Sequence, residues 1–133
     1  MEDLNLILEK YNPAVFETAI IGTLMSDKDP QILYEKIRKR LKPTMFSEEN
    51  SPIFSTIFEM LEYGESLRSY LIIERGLSRG HKFDKETITN YRMQCGDSDF
   101  TKMVDSFLSQ WYQFNFSKNS IEFTINLQKG IEP

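Results

Sequence analysis

The residues of this chain whose types could carry chemistry are one histidine, one cysteine, a glycine-flanked basic loop and some paired carboxylates. Their spacing decides what each can do. His81 stands in the polar loop "SRGHKFD", fourteen positions before Cys95, and that separation matches no zinc-ligand spacing. It reads as an exposed loop residue, and no metal is expected. "GLSRGHK" comes nearest to a phosphate-binding loop, but three residues rather than four separate Gly76 from Gly80, and His81 intervenes before Lys82. No Ser or Thr follows to hold magnesium, and the flanking pattern is helical, without the buried strand such a loop follows. Cys95 falls on the apolar side of a short helical pattern with no base nearby, so it reads as a packed core thiol rather than a nucleophile. Glu48–Glu49 and Asp97–Asp99 lie in caps and loops, where acids stabilise helix N-termini. No catalytic constellation and no cofactor are expected, and the chain alone does not read as an enzyme.

The densest positive run is "KIRKR", Lys36 to Arg40. It reads either as a solvated helix face or as a site where Lys36, Arg38, Lys39 and Arg40 meet phosphates or an acidic partner. The net charge of −4 argues against strong nucleic-acid binding by the domain as a whole. One cysteine forbids an internal disulfide, the acidic start "MEDLNLILEK" lacks the form of a signal peptide, and no stretch reaches the ~18 apolar residues of a membrane span. A soluble cytoplasmic domain without membrane contact is the expectation.

The elements that must position these residues are short helices. At 133 residues the chain suits one domain, and 40% hydrophobic residues with ten Phe and six Tyr suffice to fill a core. Asp3 can cap "LNLILEKY". Asn12–Pro13, Asp29–Pro30 and Ser51–Pro52 each pair a capping residue with a proline at the first helical position. The first of these opens a helix to about Met25. The third opens "IFSTIFEMLEYG", in which Ile53, Phe54, Ile57, Phe58 and Leu61 follow the i, i+3, i+4 rule and Gly64 stands where a C-cap belongs. "SLRSYLIIERG" reads as a helix ended by Gly76, and "DKETITNYRMQCG" as one capped by Asp84 and closed by Gly96. In "SDFTKMVDSFLSQWYQF" the residues Phe100, Met103, Val104, Phe107, Leu108 and Trp111 keep helical spacing. In the tail "SIEFTINLQKG" the alternation of Ile121, Phe123 and Ile125 is strand-like, yet the tail can also finish a helical hairpin, and helix is the preferred reading. The result is a single all-α domain over residues 1–133: a compact globular head of about six helices over about 1–97, then a late aromatic helix or helical hairpin over about 98–128.

Two features need a packing partner. Gly22 interrupts the apolar helix "ETAIIGTLM", where glycine costs roughly 0.5–1 kcal/mol relative to alanine. Close approach of another helix explains it, with Gly22→Ala expected to be absorbed and Gly22→Leu to overpack. Phe107, Trp111, Tyr112, Phe114 and Phe116 place five aromatics within ten residues, more than one inward-facing stripe needs. Part of that set, with Phe107, Trp111, Tyr112 and Phe114 as its anchors, is expected to serve self-association through the segment from Phe100 to about Leu127.

The order of motifs over roughly residues 13–64 resembles the N-terminal domain of DnaB-type replicative DNA helicases. Glu17, Ala19, Ile20, Ile21, Gly22, Leu24 and Met25 match that family's Glu-x-Ala-apolar-apolar-Gly helix. Leu41, Pro43 and Phe46 match its leucine-proline-x-x-phenylalanine corner, and Ile53, Phe54, Ile57 and Leu61 match its "I-F-x-x-I-x-x-L" helix. Two departures stand out. Asn50–Ser51–Pro52 fills the turn in which the family usually has a histidine, and the second half lacks the family's double-glycine stretch. The resemblance implies a non-catalytic collar domain that contacts itself as a dimer or around a hexamer and docks primase, a helicase loader or both. In the full family protein an ATP-dependent helicase motor follows it. The alternative is a free-standing phage or plasmid replication regulator that binds a helicase or loader through a similar head.

Overall fold

The computed structural model describes residues 13–96 and 99–131, with Val15 and 120–131 as backbone alone. It contains six α-helices and one 3-10 turn, and no strand among the described residues. The helices are α1 (Ala14–Ser26), α2 (Pro30–Ile37), α3 (Ser51–Glu62), α4 (Ser69–Ser78), α5 (Lys85–Met93) and α6 (Phe100–Ile131), and the 3-10 turn (Pro43–Met45) lies between α2 and α3. The helix after Asp3, and Asp97, lie outside the described residues.

Local signals explain most of the boundaries. Asp29 precedes Pro30 at the first position of α2, and Asp84 caps α5 by accepting the Thr87 N–H at 2.7 Å. Asp99 does the same for α6, its carboxylate accepting the Thr101 and Lys102 N–H groups at 2.8 and 3.3 Å. Gly64 ends α3 with φ of 69°, and the Glu65 N–H returns to the Met60 carbonyl at 2.8 Å, a left-handed cap that glycine enters without strain.

Three boundary expectations are corrected. The cap of α3 is Asn50 rather than Ser51, whose hydroxyl donates to the Pro43 carbonyl at 2.9 Å. α4 runs past Gly76 to Ser78 and is stopped by Gly80, which has φ of 82°, while the His81 N–H closes the turn on the Gly76 carbonyl at 2.8 Å. Gly76 is buried inside the helix because the Phe83 ring packs on it, and a Cβ there would lie 2.5 Å from that ring. The late segment makes no hairpin: from Phe100 to Ile131 it is one continuous helix.

α1 is the central helix. It is apolar on nearly all sides, as a helix enclosed by others must be: Ile20, Ile21 and Leu24 are wholly buried between α2, α5 and α6. α3 supplies Ile53, Phe54, Ile57, Met60 and Leu61 to the same core, and the first turns of α6 close it with Phe100, Met103, Val104, Phe107 and Leu108. Phe46 stacks on Phe54 with centroids 3.9 Å apart and lies 5.0 Å from Phe107, so the corner after α2 is pinned between α3 and α6.

Gly22 meets the end of α5 at backbone range. A Cβ there would stand 2.3 Å from the Tyr91 carbonyl oxygen and 2.9 Å from the Cys95 nitrogen. The helix crossing is as expected, but the expected tolerance of Gly22→Ala is overturned. The neighbouring atoms are main chain and cannot swing aside as a side-chain end can.

Candidate functional site

Glu17 is the polar exception on the buried face of α1, with only 2% of its surface exposed. Its Oε1 accepts three hydrogen bonds: from the Ser47 N–H at 2.9 Å, the Ser47 hydroxyl at 2.8 Å and the Asn50 amide at 2.9 Å. Asn50, itself buried, accepts the Tyr91 hydroxyl proton on Oδ1 at 2.7 Å. One carboxylate thereby ties α1 to the turn that starts α3, and through Asn50 to α5. Burial pushes the Tyr91 phenol above its ordinary range, with the charges of Glu49 and Glu17 acting in the same direction. Sequence reasoning missed Ser47 and Tyr91. The usable signal was Glu17 itself, an acid within an otherwise apolar helical run.

Beside this network lies a cavity of about 320 Å³ between the start of α1, the Pro43–Ser47 corner and the middle of α6. Pro13, Met45, Phe46, Trp111 and Phe114 form its apolar wall, and Glu17 is the one charged residue among the described residues lining it. None of the ion pairs among the described residues involves Glu17.

The aromatic anchors of α6 separate into different roles. Phe107 is wholly buried and belongs to the core. Trp111 is half-buried against that core and Phe114 half-buried at the cavity, whereas Tyr112 is 58% and Phe116 72% exposed. Tyr112 and Phe116 are four residues apart, which puts them one above the other on one face of the helix. Phe116 was not among the anchors read from the sequence.

The basic run is broken up by its own geometry. Ile37 points into the core, Arg38 pairs with Glu35 at 3.2 Å, and Arg40 pairs with Asp105 of α6 at 2.5 Å. Lys36 and Lys39 are exposed. Two of the four cations therefore have acidic neighbours.

A second charged cluster joins α3 to α4. Arg75 reaches Glu65 at 2.5 Å and Glu59 at 3.5 Å, and Arg79 also pairs with Glu59. The hydrogen bond from Arg79, helped by the charges of both arginines, holds the Glu59 carboxyl below its ordinary range. Arg92, half-buried between α1 and the following loops, donates to the Met25 and Leu67 carbonyls, the latter at 2.6 Å. Burial lowers its pKa. These contacts brace the head.

His81 stacks against Phe83 with centroids 5.7 Å apart. Cys95 does not pack in the core as expected: it falls just past the end of α5, its thiol exposed and 3.9 Å from the Thr23 hydroxyl. Among the described residues no three His, Cys, Asp or Glu side chains gather as a metal would require. No helix among them is long and apolar enough to cross a membrane. No family model, no curated protein and no solved structure matches the chain.

Proposed function

We propose that this chain is an assembly and docking domain of a DnaB-type replicative helicase, non-catalytic by itself. One observation carries the reading. The three motif segments, which in the sequence are related only by order, are one packed unit in the fold. Glu17 of the first holds Ser47 and Asn50 beside the second, and Phe46 of the second stacks on Phe54 of the third. Asn50 lies in the turn, Asn50–Ser51–Pro52, where the family usually has a histidine, and in this chain it donates to the motif glutamate.

The helix α6 supports the assembly half of the proposal. Its apolar residues up to Leu108 are spent on the core, and beyond them Tyr112 and Phe116 present two large exposed rings on one face. Two copies meeting through identical rows would form a two-fold, isologous pair. The domain would bind primase or a helicase loader rather than nucleic acid, consistent with the partly neutralised basic run.

Titration of the chain against the primase and the loader encoded in the same genome tests the docking half. Saturable binding to either is the expected outcome, and binding to neither contradicts it. An ATP turnover assay with and without single-stranded DNA should stay at background. Protein-dependent hydrolysis would contradict a non-catalytic domain.

A further inference from the structure

The cavity beside Glu17 has a chemistry that the collar reading does not use. Its wall combines aromatic and aliphatic groups with the neutral polar residues Thr44, Ser47 and Asn115, and its one described charge is a carboxylate that is itself almost wholly buried. Buried charges are normally paired, because an unpaired one forfeits its hydration without an ionic return. Here the three neutral donors all converge on Oε1 and no cation pairs with the group among the described residues, while Oε2, which takes none of the described hydrogen bonds, keeps access to solvent, since no buried polar side-chain atom among them lacks a partner. An anionic occupant would add repulsion, and a neutral one would leave the charge as it is. A cation on an apolar stem answers both features. Its charge would meet the carboxylate beside the rings of Trp111 and Phe114, and its methylenes would pack on Met45 and Pro13.

We propose that this cavity seats one lysine or arginine side chain of a partner protein. A volume of about 320 Å³ is at the small end for ligand pockets, which suits a single side chain better than a cofactor. The inference stands on the cavity and does not depend on the helicase reading.

Trp111 is the chain's one tryptophan and lines the cavity, so its fluorescence reports occupancy. Blocked alanine-lysine-alanine and alanine-arginine-alanine tripeptides are titrated into the whole protein beside a norleucine tripeptide, which keeps the stem and lacks the charge. Either basic peptide is expected to give a saturable shift, with the norleucine peptide at least ~10-fold weaker because it makes no charge-assisted bond. In Glu17→Gln that preference should vanish. The comparison of peptides on the unaltered protein decides the matter even if this variant folds poorly. Equal binding of the norleucine and lysine peptides overturns the proposal, as does the absence of any response to both basic peptides. n-Butylamine binding as tightly as the lysine peptide would also overturn it, by making the occupant a free small amine.

Discussion

Glu17 ties the corner together because three donors converge on its Oε1. Glu17→Ala would leave the Ser47 N–H and the Asn50 amide without their partner, and each unmet buried donor costs about 1–3 kcal/mol. A loss of roughly 3 kcal/mol or more in urea denaturation is the expected outcome; an unchanged midpoint would mean that the corner holds itself. At Gly22 the added methyl of alanine meets the Tyr91 carbonyl, so overpacking of about 1–3 kcal/mol should exceed the gain of up to ~1 kcal/mol in helix propensity. Gly22→Ala should therefore lower the urea midpoint. Glu59 sets an acid limit. Its folded pKa lies below the ordinary 4.5, so its contribution is present above that value and is lost as pH falls through the folded one. Stability measured from pH 6 down to 3 should decline, and Glu59→Gln should flatten part of that decline. The pair with Arg79 is largely solvated, so the effect is modest.

The helices show where sequence signals suffice. Asp29–Pro30 and Asp84 were legible because a cap acts through its own residue and the next turn. The end of α4 was not, because Gly76 and Gly80 look alike in the chain and only the Phe83 ring, seven residues past Gly76, tells them apart. The same contact explains why a glycine can sit inside a helix. Gly80→Ala forces an L-residue into the left-handed region and should cost about 1–2 kcal/mol in a thermal melt. An unchanged melting temperature would place the cap elsewhere. α6 was legible as a helix through its spacing, but its length was not, since the alternation of Ile121, Phe123 and Ile125 imitates a strand and resembles the return arm of a hairpin. Nor could spacing divide its aromatics. Phe107 and Tyr112 are both large rings on one helix, and only packing against Phe46 and the core makes the first a core residue.

For the whole molecule, an all-helical head built on one apolar central helix was legible, because α1 carries core residues on nearly every side. The corner network was half legible: Glu17 was visible, whereas the Ser47–Asn50 turn and Tyr91 lie far from it and from each other in the chain, and only the fold brings them together. The cavity at Trp111 was not legible, since it belongs to the gap between elements rather than to any one of them. On the proposed reading, the exposed rings of α6 pair two copies of the head. Light scattering across a concentration series, on the native chain and on a double variant Tyr112→Glu, Phe116→Glu, tests it most directly. The native chain should move to a dimer or larger species by ~100 µM, well above a micromolar dissociation constant. The variant should remain monomeric with unchanged helical content, because both side chains are exposed in the single chain. A native chain that stays monomeric at ~100 µM, or a variant that associates as strongly as the native chain, would contradict the account.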